Sequence, residues 1–280
     1  MSRQAFALAA VALVLQPPPF RTRVEIVTVD VSVTRGDSAV AGLTADDFVV
    51  TDDGIRQRID AVTVARVPLS VTLVLDTSES VAGERLDALI NASEQVVNEL
   101  RTSDSVSLIT FASVVARPVA LTTNFDSVRS ALHAITGAGD TTLRDAVFLG
   151  LQTSPPAGTR SLLLIFTDGD DTSSWLSEDE VLESVRHANV VIHAVSFGSR
   201  PFLKQATHEA GGRIWSASSN RDLQKLFGRA IRDMRDRYVL TYTPTGVSHP
   251  GWHALNVKLA RARADVVARP GYWVRSRSIP

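Results

Sequence analysis

The chain has no cysteine in its 280 residues. That excludes disulfides, thiolate metal sites, a cysteine nucleophile and a lipidated N-terminal cysteine; it leaves the compartment open, because exported proteins can also lack disulfides. It has almost no net charge, −1 at neutral pH, so nothing global points to nucleic acid as a partner. It has no Gly-x-Gly-x-x-Gly and no Gly-Lys-Ser/Thr phosphate loop, which removes the usual dinucleotide and nucleoside triphosphate sites. No internal repeat or low-complexity stretch is present, and no apolar run reaches the ~20 residues that a membrane-spanning helix needs. The nearest is Ala5 to Leu15, preceded by Arg3 and followed by Gln16-Pro17-Pro18-Pro19. That run is too short to span but suits the apolar region of a signal peptide. Residues 1–19 are therefore expected to be a signal peptide and Pro-rich spacer, and the protein to be exported to the periplasm, the cell surface or the medium.

What is there falls into three segments. From residue 20 to 68 the pattern is antiparallel β: Val27, Val29, Val31 and Val33 alternate with Thr28, Asp30, Ser32 and Thr34, and Asp52-Asp53-Gly54 reads as a tight hairpin turn. From 69 to 236 strands alternate with helices. Val71–Leu75, Val106–Phe111, Ser161–Phe166 and Val190–Phe197 are continuous apolar strands, the kind buried on both faces of a parallel sheet. Asn124 is placed to cap a helix, Leu143–Leu151 is another, Ser177 and Glu180 form a capping box, and Asn220 caps the last helix of the segment. This segment predicts an α/β fold with a doubly wound, mostly parallel sheet. From 237 to 280 alternation at period two returns, through Tyr238, Leu240 and Tyr242 and later His253, Leu255, Val257 and Leu259. The two β segments flank the α/β domain and so are placed to pack together. The basic side chains of the tail, Lys258, Arg261, Arg263, Arg269, Arg275 and Arg277, read as a solvated face.

The chemistry gathers at strand ends. Leu73-Val74-Leu75 runs into Asp76-Thr77-Ser78-Glu79-Ser80, a carboxylate and two hydroxyls at every second residue. In a doubly wound sheet this loop meets two others, Gly139-Asp140-Thr141-Thr142 and Thr167-Asp168-Gly169-Asp170-Asp171. Every candidate ligand is a hard oxygen with no histidine or cysteine nearby, which suits Mg²⁺, Mn²⁺ or Ca²⁺ and disfavours Zn²⁺. An enzyme reading is weaker. A phosphoryl-accepting Asp76 lacks the second aspartate that dehalogenase-like phosphohydrolases carry, since Ser78 stands there. Asp76-Thr77-Ser78 has Ser where aspartic proteases carry Gly. His193 lies in an apolar strand and His133 and His187 on helices, with no serine partner indicated.

Asp76-Thr77-Ser78-Glu79-Ser80 matches the Asp-x-Ser-x-Ser signature of von Willebrand factor type A (integrin I-like) domains, Thr141 the later threonine and Asp168 the final aspartate. The resemblance covers about residues 69–235. The flanks, Val40 to Phe48 with Asp52-Asp53-Gly54 and the closing Arg269-Pro270-Gly271-Tyr272, are similar to an exported subgroup common in Acidobacteria. The resemblance implies a metal-ion-dependent adhesion site. In it, Ser78, Ser80 and, with ligand bound, Thr141 hold the ion directly, Asp76 and Asp168 act mainly through water, and a protein partner's Asp or Glu completes the shell. It implies a non-enzymatic protein-binding or adhesion module; a scaffold in an envelope assembly, its metal bracing the loops or idle, is the alternative. Asp140 stands where many relatives carry glycine and adds a carboxylate able to ligate the ion. Thr142 is the substitute for Thr141 if the register shifts by one. Asp170 and Asp171 read as a solvated acidic loop.

Overall fold

The computed structural model describes residues 26–64, 67–247, 249–261 and 263–274; the expected signal peptide, and Arg275 and Arg277 of the basic tail, lie outside them. The chain opens with β1 (Val27–Arg35), β2 (Ser38–Ala39), β3 (Phe48–Asp52), β4 (Ile55–Gln57) and β5 (Ala61–Val64). The α/β segment follows as β6 (Leu69–Asp76), α1 (Glu84–Glu99), β7 (Ser105–Phe111), β8 (Val115–Thr122), α2 (Phe125–His133), α3 (Leu143–Leu151) and β9 (Arg160–Thr167). It continues through α4 (Glu178–His187), β10 (Val191–Phe197), α5 (Pro201–Glu209), β11 (Ile214–Ala217) and α6 (Asp222–Asp236). The close is β12 (Tyr238–Tyr242), β13 (Gly251–Leu259), β14 (Asp265–Val267) and β15 (Gly271–Val274).

The central sheet has the order β11-β10-β9-β6-β7-β8, parallel except for β8. Every residue of β6 is buried, as expected of a strand covered on both faces. Leu73 and Leu75 pack with α1, α2 and α6 on one face, and Val74 with α3, α4 and α5 on the other. From β6 the chain moves to β7 on one side and returns to β9 on the other. The strand order therefore reverses between β6 and β9, and a crevice at their carboxyl ends is the usual site of such a sheet. Asp76 and Thr167 are the last residues of those two strands.

Three local features differ from the sequence reading. Strand β8 has no buried residue, so it carries no apolar run. Helix α5 begins on Pro201, which supplies the fixed φ of a first helical position. Asn220 does not cap α6; Asp222 accepts the N–H groups of Ser218 and Ser219 at 2.9 and 2.8 Å instead. The Ser177–Glu180 capping box and the Asn124 cap form as read, Asn124 accepting from Ser127 N at 3.3 Å.

The flanking strands interleave. One sheet has the order β14-β1-β12-β5 with β2 on β1, the other β15-β13-β3-β4, and all their pairings are antiparallel. Val29, Val31, Val50, Leu240 and Tyr242 are among the side chains of their shared core. This module meets the α/β domain through charge. Asp30 accepts from Arg160 Nε at 2.7 Å, and Ser32 Oγ donates to Asp233 at 2.6 Å. Asp233 also pairs with the fully buried Arg237, and it lies 3.0 Å from Nε2 of buried His193. Arg269, expected on a solvated face, instead donates to the carbonyl of Arg186 at 2.9 Å.

Nδ1 of His193 accepts the backbone N–H of Arg213 at 3.0 Å, so the ring is neutral with its proton on Nε2. Burial pushes His193 below its ordinary value. Burial alone would raise Asp233, but Arg237, His193 and the Ser32 hydroxyl outweigh it and hold that carboxyl well below the usual range. Both groups bind protons more readily in the unfolded chain. Their contribution to stability is therefore complete above about pH 6.5 and is lost as pH falls, first through His193 and then, below about pH 4, through Asp233. Denaturant titrations between pH 8 and 3 are expected to show this, with His193→Gln removing the first part of the slope. A stability equal at pH 7 and 5 would contradict the assignment.

Candidate metal centre

Asp76 ends β6 with its side chain fully buried, and both oxygens are engaged. Oδ1 accepts the backbone N–H of Ser78 at 2.9 Å and Oδ2 accepts the Thr167 hydroxyl at 2.6 Å. Burial pushes the Asp76 carboxyl up, and the hydrogen bonds from Ser78 and Thr167 oppose it. The bond to Ser78 bends the chain at the strand end so that the next two serine hydroxyls turn the same way. Ser78 Oγ and Ser80 Oγ lie 3.1 Å apart, and Ser80 Oγ donates to Asp168 Oδ1 at 2.6 Å. Asp76 and Ser78 are buried while Ser80 is exposed, so the donors climb from the sheet to the surface.

The third loop arrives through backbone bonding. Glu79 N donates to the Gly139 carbonyl at 3.0 Å, and Ala138 N to the Thr77 carbonyl at 2.9 Å. Gly139 has φ +88°, and a Cβ there would lie 2.4 Å from Ser113 Oγ; only glycine fits both demands. Thr141 is nearly buried, its N–H donating to Thr172 Oγ1 at 3.0 Å and its carbonyl accepting from Thr172 N at 2.9 Å. A Cβ on Gly169 would sit 3.4 Å from Thr141 Oγ1 and 3.9 Å from Ser80 Oγ. The glycine thus leaves an open face beside hydroxyls from two loops. Asp76, Ser78, Ser80, Thr141 and Asp168 are brought together around that face. An all-oxygen set of this kind, two carboxylates and three hydroxyls with space beside them, fits a hard divalent cation.

The neighbouring residues separate. Thr142 is buried and its hydroxyl donates to the Ala112 carbonyl at 2.8 Å, so it is tied to the β7–β8 turn. Asp140 is exposed, its N–H donating to Ser113 Oγ at 2.9 Å. Asp171 is not part of a solvated acidic loop. It accepts from Arg144 N at 2.8 Å, pairs with the Arg144 guanidinium at 3.0 Å and accepts from Ser174. Against the cost of burial, those donors hold its carboxyl below the ordinary value. Asp170 is exposed, 3.6 Å from Arg200 Nη1.

The sequence reading missed Thr167 and Arg85. Thr167 was visible as the residue that ends a buried strand just before Asp168. Arg85 carried no signal: it comes from the first turn of α1, pairs with Asp168 Oδ2 and lies over the Phe197 ring at 4.4 Å. It balances the charge of the second carboxylate of the cluster. The cleft lined by Asp30, Ser70, Thr72, Arg160 and Ser161 lies at the opposite ends of the strands and contributes nothing here.

Replacing Gly139 tests the loop geometry. Gly139→Ala is expected to cost about 2 kcal/mol from the positive φ alone, with more from the contact to Ser113. Thermal unfolding measures it, and a cost below about 0.5 kcal/mol would mean that the loop sits elsewhere.

With this geometry in hand, comparison with known proteins places the chain. A family model described as the von Willebrand factor type A domain matches residues 70–229. Inter-alpha-trypsin inhibitor heavy chain H4 of Bos taurus is 27% identical over 207 residues, 66% of this chain but only 23% of that protein. A UPF0353 protein of Mycobacterium avium is 23% identical over 70% of this chain and 68% of its own. Among solved structures, a von Willebrand factor type A protein from Catenulispora acidiphila shares the fold over 91% of this chain and 76% of its own, at TM-score 0.55 and 11% identity. Proximal thread matrix protein 1 of the mussel byssus, solved with a zinc-occupied MIDAS motif, matches 65% of this chain and 49% of its own at TM-score 0.55 and 17% identity. The family model covers more than half of the chain: the chain belongs to the von Willebrand factor type A domain family, a family of metal-dependent adhesion and protein-interaction modules.

Proposed function

We propose that this protein is an exported, Mg²⁺-dependent protein-binding module that captures an acidic side chain of a partner. The observation that carries the reading is the convergence of the Ser78, Ser80 and Thr141 hydroxyls with Asp76 and Asp168 beside Gly169. A bound cation supplies Lewis acidity toward a carboxylate. The protein's part is to keep that acidity unspent. Ser78, Ser80 and Thr141 are neutral ligands. Asp76 is occupied by Ser78 N and Thr167 Oγ1, and Asp168 is shared with Ser80 and Arg85. The formal negative charge close to the ion is thereby reduced, leaving it to attract an outside Asp or Glu. Mn²⁺ and Ca²⁺ suit the same donors. Asp140, exposed on the same loop, tunes that attraction by offering an internal carboxylate.

The surroundings favour a protein as ligand. Two loops hydrogen-bond to the 139–142 loop, and each presents an exposed apolar side chain: Val114 at 75% and Trp175 at 94%. Trp175 is not on a loose segment. Its N–H donates to Asp145 at 2.9 Å, Leu176 N to the same carboxylate at 3.0 Å, and Ser174 is tied to Asp171. A rigidly presented tryptophan beside a polar centre is the composition of a binding hot spot, whereas an enzyme acting on a small substrate would enclose its site. Export rests on the apolar run at residues 5–15. Among the described residues no helix is long and apolar enough to cross a membrane.

Two measurements test this reading. Calorimetric titration of metal-stripped protein with Mg²⁺ is expected to show one site, weakened about 10- to 100-fold by Ser78→Ala. Trp175→Ala should leave that titration unchanged while removing the Mg²⁺-dependent capture of envelope proteins. Mg²⁺ binding indifferent to Ser78→Ala would end the site assignment, and capture indifferent to chelation would shift the metal to bracing alone. For export, the N-terminus of protein recovered outside the cytoplasm is expected to begin after the apolar run; an intact Met1 there would refute cleavage.

A further inference from the structure

A second cluster of ligating side chains lies in the β module, away from the oxygen site. Asp53 forms the β3–β4 turn with φ +46°, His249 lies in the connection from β12 to β13, and His253 is a buried residue of β13. One ligand atom from each lies within 4.8 Å of the other two. His249 Nε2 is 2.9 Å from Asp53 Oδ2, and His253 Nδ1 is 3.4 Å from the same oxygen and 3.1 Å from Asp52 Oδ1.

The other ring nitrogens fix what these contacts mean. His253 Nε2 lies 2.8 Å from the His249 carbonyl, and His249 Nδ1 lies 3.1 Å from the Pro250 carbonyl. A carbonyl only accepts, so both of those nitrogens carry protons. In the neutral rings the lone pairs then fall on His253 Nδ1 and His249 Nε2, each aimed at a carboxylate. Asp52 Oδ2 accepts from Tyr242 and Tyr272 at 2.8 and 2.7 Å, and the Tyr272 hydroxyl also lies 3.4 Å from His253 Nδ1. Two lone pairs directed at carboxylates favour positive charge between them. Two extra protons would supply it only by making a pair of cations whose rings stack with centroids 4.3 Å apart. One dication supplies it without charging either ring.

We propose that Asp53, His249 and His253 form a second metal site, for an imidazole-preferring ion of the Zn²⁺ class, chemically distinct from the hard-oxygen site at Asp76. Two imidazoles and a carboxylate are three protein ligands of a tetrahedral centre with one open position. A backbone carbonyl holds the outer N–H of the buried His253, the arrangement that orients a metal-bound histidine. Ligation requires the His249 ring to swing out of the stack toward Asp53, and at 55% exposure it has room. The bound ion joins the β3–β4 turn to the start of β13, clasping one end of the β15-β13-β3-β4 sheet.

The test uses the metal-stripped full chain and Co²⁺ as a spectroscopic stand-in for Zn²⁺. Wild type and Ser78→Ala are both expected to take up one Co²⁺ with the visible absorption of nitrogen-ligated tetrahedral cobalt, and Zn²⁺ should displace it and raise the melting temperature. His249→Phe keeps the ring stack. Asp53→Asn keeps the turn, because asparagine tolerates positive φ and can still accept from Ala254 N. Each is expected to weaken Co²⁺ binding at least about tenfold while Mg²⁺ titration stays as in wild type. Cobalt absorption unchanged in both variants, or absent from wild type and Ser78→Ala alike, overturns the proposal. So does a melting temperature that Zn²⁺ leaves untouched but that falls with rising pH in a manner His249→Phe removes, since that assigns the positive charge to protons.

Discussion

The site depends on one constraint: a carboxylate must be held at the end of a strand buried on both faces. β6 supplies it, with no exposed residue along its length. A bare carboxylate there would be costly. Asp76 is made tolerable by two donors that are themselves parts of the site, the Ser78 N–H that starts the first loop and the Thr167 hydroxyl that ends β9. The same two bonds that satisfy the buried charge set the direction of the loops. Stability and site geometry are thus one arrangement at the point where the strand order reverses.

Charge is managed twice more in the molecule, with different results. At the domain junction, Asp233 draws Arg237, Arg213, His193 and Ser32 into a buried network that fixes how the β module meets α6. At the oxygen cluster, Asp168 is balanced by Arg85 on one oxygen only, leaving the other to Ser80. A buried network gives orientation. A partly closed one leaves a polar surface able to accept something from outside. The exposed side chains of Val114 and Trp175 belong to that outward-facing part.

Much of this was legible in residue pattern. Continuous apolar strands alternating with helical periodicity gave the doubly wound sheet, and Asp76-x-Ser78-x-Ser80, Thr141 and Asp168 stood out because hard oxygens recur at the ends of those strands. Strand β8 escaped because an exposed edge strand has no buried face to enforce alternation. Asn220 misled because cap preference is local, while Asp222 reaches two N–H groups through a turn that periodicity does not reveal. Asp171 looked solvated because acidic runs usually are, yet Arg144 and Ser174 enclose it.

Residue pattern was enough for the buried strands, the parallel sheet and the chemical class of the oxygen donors, since these follow from burial periodicity and side-chain chemistry over short stretches. Tertiary structure alone decided which hydroxyls are free. Thr141 faces the open side of Gly169 while Thr142, its neighbour, is spent on Ala112 in the β7–β8 turn. It alone brought Arg85 to Asp168, 83 residues apart, and Asp53 to His249 and His253, about 200 apart. Such pairings have no local period. They exist only after the sheets close, because strand pairing fixes distances between residues that the chain itself leaves independent.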